Sequence, residues 1–284
     1  MEAALKPGIY DGVSRAVYES WPAINFSTLK HFRKTAAHAK YRIAVPTEPT
    51  EAMEMGSAVH TAILEPERFA VEYVASPQCD RRTTEGKEAW RSFEEANRGK
   101  EILHHNDYGV CAAMRDSVWR TESVAREILS APGGKNERSF VWLDRLTGQL
   151  CKGRCDRMCR WNGWTIVGDL KTSKSAEKDE FARDIGRYSY HVQAALYLDG
   201  LDALASVHRR YIWVALEKEQ PYLFAAYEPT DRLIEQGRRT YRDWLNQYDT
   251  AVTKDIWPGY LNNIEPIDLP RWAQDEGSIL AEAS

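Results

Sequence analysis

The stretch 153–171 reads Gly153-Arg154-Cys155-Asp156, then twelve residues, then Asp169-Leu170-Lys171. Within those twelve, Asn162-Gly163 stands between two apolar runs, a strong hairpin signal because both central residues of such a turn need positive φ. The spacing predicts two antiparallel strands, Gln149 to Cys159 and Trp164 to Leu170, with Asp156 and Asp169 on neighbours and converging at one edge. Two carboxylates facing one point offer hard oxygen ligands for Mg2+, an ion that neutralises phosphate charge and lowers the pKa of a bound water. Lys171, two residues after Asp169, points to the same face of its strand and can orient or deprotonate that water.

An acid-x-Lys triplet alone is weak, and Glu85-Gly86-Lys87 is a second copy. It lies in a polar, helical context with no second carboxylate on a paired strand, and reads as a solvated helix start. The copy at 169–171 ends the apolar run Thr165-Ile166-Val167, where charge is costly unless paired or bound to metal.

Working outward, the first half reads as helical: Ser27 as N-cap of a helix to about Arg42, then Glu51 to Leu64 ended by Pro66, Thr84 to Asn97, and a long helix from Asn106 to Ser130 closed by Ala131-Pro132-Gly133-Gly134. Beyond that breaker come strands at Ser139 to Leu143, the hairpin pair, His208 to Leu216 and Tyr222 to Tyr227, with helices from Ser189 to Leu201 and Asp231 to Tyr248. The expectation is one α/β domain over 1–284: a mainly helical part at 1–135, a catalytic sheet with helices at 136–250, and a tail at 251–284.

Two further pieces join the acids. In Gly56-Ser57-Ala58-Val59-His60, a histidine sits mid-helix with small residues one turn earlier, leaving room for a strand or a metal to approach. Gln193 and Tyr197 are four apart on a helix, hence on one face, where an amide and a phenol can hydrogen-bond phosphate oxygens or the lysine. Each alone reads as core; the set is what suggests chemistry.

The chain has 284 residues, 43% of them hydrophobic and 28% charged, enough for a sizeable core and against disorder. No apolar run approaches the roughly 20 residues of a membrane span, and the start, with Glu2 and Pro7, lacks the pattern of a signal peptide, so a soluble, cytoplasmic protein is expected. Five cysteines without a CxxC pair argue against a disulfide framework. Cys151, Cys155 and Cys159, at even spacing, read as buried residues on one strand face rather than as cluster ligands. The net charge of −4 does not announce a nucleic-acid binder, but from Ser20 to Thr47 there is no acid, and Lys30, Arg33, Lys34, Lys40 and Arg42 form a local basic face with His31 and His38. Lys30, Arg33 and Lys34 are the expected DNA contacts.

The order His60, Asp156, Asp169-x-Lys171, Gln193-x-x-x-Tyr197 resembles the PD-(D/E)xK nuclease superfamily, whose fold is a mixed central sheet flanked by helices, here with N-terminal helical additions. The surrounding text is similar to one branch, the RecE-type exonuclease VIII family, at Gly56 to Phe69, Arg81 to Glu88, Gly153 to Asp156, Gly168 to Thr172, Tyr188 to Gly200, Trp257-Pro258 and Leu269 to Ala273. The similarity covers the C-terminal nuclease portion of that enzyme. It implies a Mg2+-dependent exonuclease, with Mn2+ a possible substitute, that degrades linear duplex DNA from 5′ ends and leaves 3′ single strands for a RecT-type annealing partner. It also implies a ring-shaped homo-oligomer, a tetramer or a trimer. Carried over by residue, His60, Asp156, Asp169 and the Leu170 carbonyl would bind metal, Lys171 would serve the water, and Gln193 and Tyr197 would support the site. An endonuclease or single-strand repair nuclease of the same superfamily, or a non-catalytic DNA-binding module, are the alternatives.

Overall fold

A computed structural model describes residues 5–45, 48–260 and 263–269. The chain opens with β1 (Gly8–Tyr10), α1 (Arg15–Ser20), α2 (Phe26–Leu29) and α3 (Ala36–Ala44), then α4 (Glu51–Leu64), α5 (Pro66–Glu72) and β2 (Tyr73–Ala75). Next come α6 (Thr84–Ala96), β3 (Glu101–Leu103), α7 (His105–Arg120) and α8 (Val124–Ser130). The remainder is β4 (Lys135–Leu143), β5 (Leu150–Trp161), β6 (Trp164–Ser173), α9 (Lys178–Tyr188), α10 (Tyr190–Leu204), β7 (Arg209–Glu217), β8 (Phe224–Tyr227) and α11 (Asp231–Lys254).

Six strands form one mixed sheet in the order β1-β4-β5-β6-β7-β8. Every pair is antiparallel except β6 and β7, which run parallel because α9 and α10 carry the chain back across the sheet between them. The predicted hairpin joins β5 to β6, with Asn162 at φ 47° and Gly163 at φ 81°, the positive values its turn demands. One face of the sheet packs on α2, α3, α9, α10 and α11 around Phe140, Val167, Tyr211 and Trp213. The other packs on α4, α5, α7 and α8 around Leu170, Val214 and Leu216. The N-terminal helices therefore supply parts of both outer layers.

Three sequence expectations are corrected. The helix placed from Ser27 to Arg42 is broken: Asn25 caps α2, a 3-10 turn covers Lys30–Arg33, and Thr35 caps α3 anew by accepting from the His38 amide. The helix from Asn106 to Ser130 is two, since Ser123 caps α8 by accepting from the Arg126 amide. In both cases a Ser or Thr inside an apparently continuous pattern offers its hydroxyl to amides that a continuous helix would pair itself. The three cysteines of β5 also divide, Cys151 and Cys155 facing the first core and Cys159 a separate small cluster with Ile128, Ala131, Ile166 and Ile212. All five cysteines are free thiols. Strands β1, β2 and β3, of three residues each, are too short to show an alternation, and helix α9, which buries Phe181 and Ile185 four residues apart, is not among the expected elements.

The tail beyond α11 returns over α3: Pro258 O accepts from the Ala37 amide, and Trp257 packs against Phe32 and Tyr248. Residues 270–273, part of the family-like tail, lie outside the described residues. Among the described residues no helix is long and apolar enough to cross a membrane.

Candidate metal centre

The division of the cysteines marks an irregularity that builds the site. Strands β4 and β5 pair regularly at Asn136–Arg157 and Arg138–Cys155, yet the intervening Glu137 and Asp156 do not pair, and Glu137 takes φ 50°. A non-glycine residue at positive φ costs of order 1–3 kcal/mol and is found where function requires it. Cys155 and Met158, an odd number of residues apart, share one core, so β5 changes face at Asp156. Its carboxylate is thereby turned toward the next strand, where Oδ2 accepts the Leu170 amide at 2.7 Å. Strands β5 and β6 pair as far as Arg157–Gly168 and separate just where Asp156 and Asp169 would meet.

His60 approaches this opening from α4, a helix capped by Thr50 and buried along Ala58, Val59, Ala62 and Ile63. Nothing stands within 4 Å of a Cβ built at Gly56, so the turn before His60 is open, as its small residues suggested. Asn136 donates to the Leu64 carbonyl at the end of α4 and accepts from Arg157 at 2.8 Å. This ties the histidine's helix to the strand that carries Glu137. The result places His60 Nδ1 3.6 Å from Asp156 Oδ2, and donor atoms of His60, Glu137 and Asp156 all within 4.8 Å of one another.

Asp169, only 2% exposed, pairs with Lys171 at 2.6 Å. Lys171 Nζ lies 4.9 Å from the centroid of the Tyr190 ring, a cation-π contact. Arg154 pairs with Glu137 at 2.5 Å. Burial, and then the Asp169 charge, push the Asp156 carboxyl well above the ordinary range. Burial and Lys171 lower His60 to about 4, leaving a neutral imidazole able to donate a lone pair. Burial works against the Lys171 ammonium, but Asp169 and Asp156 outweigh it and hold its pKa above the ordinary lysine value.

The donor set fits a divalent cation. Several carboxylates drawn together in a partly buried cleft are costly without positive charge, and oxygen donors with one imidazole suit Mg2+ and also accept Mn2+. His60, Glu137 and Asp156 would hold the ion, with Asp169 adjoining; once bound, it would neutralise phosphate charge and acidify a water.

The sequence-derived residues fall into three groups. His60, Asp156, Asp169 and Lys171 come together; Leu170 joins them through its amide, which holds Asp156. Tyr197 is in the core beneath, edge-on to Phe140 at 5.3 Å, with Gln193 one turn earlier on α10, and within reach of the Asp169 charge. Lys30, Arg33 and Lys34 line a separate basic cleft. Glu137 and Tyr190 were missed: Glu137 sits in the polar start of β4, before the predicted strand, and Tyr190 follows a left-handed Ser189 (φ 62°) that separates two helices. The control triplet Glu85-Gly86-Lys87 begins α6, its Glu and Lys exposed, as a solvated helix start should be.

The fold is similar to that of a crystal structure from Eubacterium rectale described as "Putative exonuclease", with a TM-score of 0.58 over 93% of this chain and 98% of that one at 14% identity. A second solved structure, SSO0001, aligns over 68% of this chain and 86% of its own at 17% identity, with a TM-score of 0.28. No curated protein matches the chain. Residues 25–270 match the family described as "PDDEXK-like domain of unknown function (DUF3799)", a span that includes every residue of the candidate centre. With that match over most of its length and an acid–acid-x-Lys centre at diverging strands, the chain belongs to this PDDEXK-like family, within the PD-(D/E)xK nuclease superfamily.

Proposed function

We propose that the protein is a Mg2+-dependent exodeoxyribonuclease of the RecE-type branch, degrading linear duplex DNA from 5′ ends and leaving 3′ single strands for a RecT-type annealing protein, as a ring-shaped homo-oligomer. One observation carries the nuclease part of this reading. A neutral histidine, three carboxylates and a lysine converge where β5 and β6 part, with the lysine on the ion-paired side and the Glu137–Asp156–His60 donors on the other. In that arrangement the chain's own groups divide the work. The carboxylates and His60 gather positive charge for a phosphate, Asp169 fixes Lys171 by its ion pair, and the lysine N–H groups can orient a water or meet charge developing on a phosphoryl oxygen. The direction, the duplex preference and the annealing partner rest on the sequence resemblance to exonuclease VIII.

The test is digestion of one DNA in linear and in covalently closed circular form, with Mg2+ and with a chelator. Loss of the linear form alone, in Mg2+ alone, with release from 5′-labelled ends, is expected. Cutting of the closed circle would replace the reading with an endonuclease, and activity on neither form would remove it.

A further inference from the structure

Beside the metal centre lies a cleft of about 540 Å3 between α3 and the end of α9. Lys30, Arg33, Lys34 and Arg42 line it together with Tyr41 and Tyr188, and no carboxylate does so among the described residues. Both rings are open to solvent, Tyr41 at 60% and Tyr188 at 44% exposure, although each would gain from burial. The cleft is held by structure rather than by loose side chains: Arg33 donates to the Arg187 carbonyl at 2.6 Å, joining the 3-10 turn to the end of α9.

The cleft also communicates with the metal centre. The left-handed Ser189 turns the chain so that Tyr188 and Tyr190 stack, with centroids 5.5 Å apart and planes 26° from parallel. Tyr190 in turn carries Lys171 over its face. Lys30 is near enough to Lys171 that, after burial, repulsion between them lowers the Lys30 pKa. An aromatic step therefore leads from the reacting lysine into a cationic trough.

We propose that this cleft holds an unpaired stretch of DNA adjoining the scissile phosphate, its phosphates on Lys30, Arg33 and Lys34 and its bases stacked on Tyr188 and Tyr41. The inference rests on the nuclease reading above and adds the strand state of the substrate beside the site. Cations alone would suit a duplex, whose phosphates are reached from outside. Exposed aromatic faces in the same trough suit a single strand, because in a duplex the base faces are already stacked on one another, whereas every unpaired base offers a π-face regardless of sequence. Duplex ends would then need to fray by a few nucleotides to be seated.

The experiment measures anisotropy of a fluorescent oligothymidylate and of a blunt duplex, with the full chain in Ca2+ and with a Lys171→Ala background to stop cutting. Tyr188→Ala and Tyr41→Ala should each weaken oligothymidylate binding by at least about fivefold, matching about 1 kcal/mol for one stacked base. Tyr188→Phe should retain it, since the ring remains. Duplex affinity should change less, whereas neutralising Lys30, Arg33 and Lys34 together should weaken both and flatten the salt dependence. Both tyrosines are exposed, and an unchanged thermal midpoint will certify the fold of each variant. Unchanged oligothymidylate binding in both alanine variants, or equal loss in Tyr188→Phe, overturns the inference even if the wild type cuts DNA in Mg2+. Absence of metal-dependent cutting by the wild type would instead remove the nuclease reading, whatever the cleft binds.

Discussion

Gly153, the first residue of the stretch that opens the catalytic half, has a structural reason that can be tested. A Cβ added there would lie 2.2 Å from Phe140 Cζ and 2.8 Å from each Cε. Carbon atoms prefer about 3.5–4.0 Å, so the ring would have to retreat by more than about 1 Å. It has little freedom to do so: Phe140 is fully buried, stacked on Trp142 at 5.4 Å and met edge-on by Tyr197 at 5.3 Å. Overpacking of this kind costs roughly 1–3 kcal/mol. At about 2–4 °C per kcal/mol for a domain of this order of size, Gly153→Ala should lower the thermal midpoint by about 2–12 °C. The assay is thermal unfolding of the four members of a Gly153→Ala, Phe140→Leu cycle. In the Phe140→Leu background the alanine should cost little, giving a coupling of about 0.5–3 kcal/mol. A midpoint unmoved by Gly153→Ala, or an equal cost in both backgrounds, would refute the contact as the reason for the glycine.

Further outcomes are expected at the candidate metal centre. Because folding raises the pKa of Asp156, the native state binds its proton more tightly than the unfolded one does. The resulting loss of stability is absent below the unfolded value near 3.9 and grows as pH rises through the native value. Metal-free Asp156→Asn should therefore melt higher than wild type at neutral pH and no higher near pH 3.5; a gain independent of pH would contradict the electrostatic cause. Lys171→Ala should reduce turnover by about 10²–10⁴-fold while keeping the rise in midpoint caused by Mg2+, and loss of that rise would place the lysine in the ion's binding instead. Wild type at a Mg2+ concentration of about 100 Kd should gain about 2.7 kcal/mol, and Glu137→Gln should need more Mg2+ for the same gain. An unchanged Mg2+ requirement would exclude Glu137 as a ligand.

Much of this was legible in the linear chain because local chemistry determined it. The Asn162-Gly163 turn sets the β5–β6 hairpin, and the two-residue alternation puts Asp169 and Lys171 on one face, where they form an ion pair. The α4 helix begins and ends at its expected residues, since Thr50 caps it and Pro66 stops it. Tertiary structure decided the rest. Strand alternation predicts that Cys151, Cys155 and Cys159 share a face, and the face change at Asp156 that divides them depends on how β4 lies against β5 far from their connecting turn at Thr147-Gly148, where Glu137 and Asp156 leave the ladder. Glu137 joins the donor set only through that irregularity, and its polar surroundings resemble any exposed strand start. Likewise Tyr188 and Tyr190 are ordinary aromatic residues until Ser189 adopts a left-handed conformation and stacks one upon the other between Lys171 and the basic cleft. Periodicity reports which side of an element is apolar, whereas convergence of side chains on one point is set by contacts between elements distant in the chain.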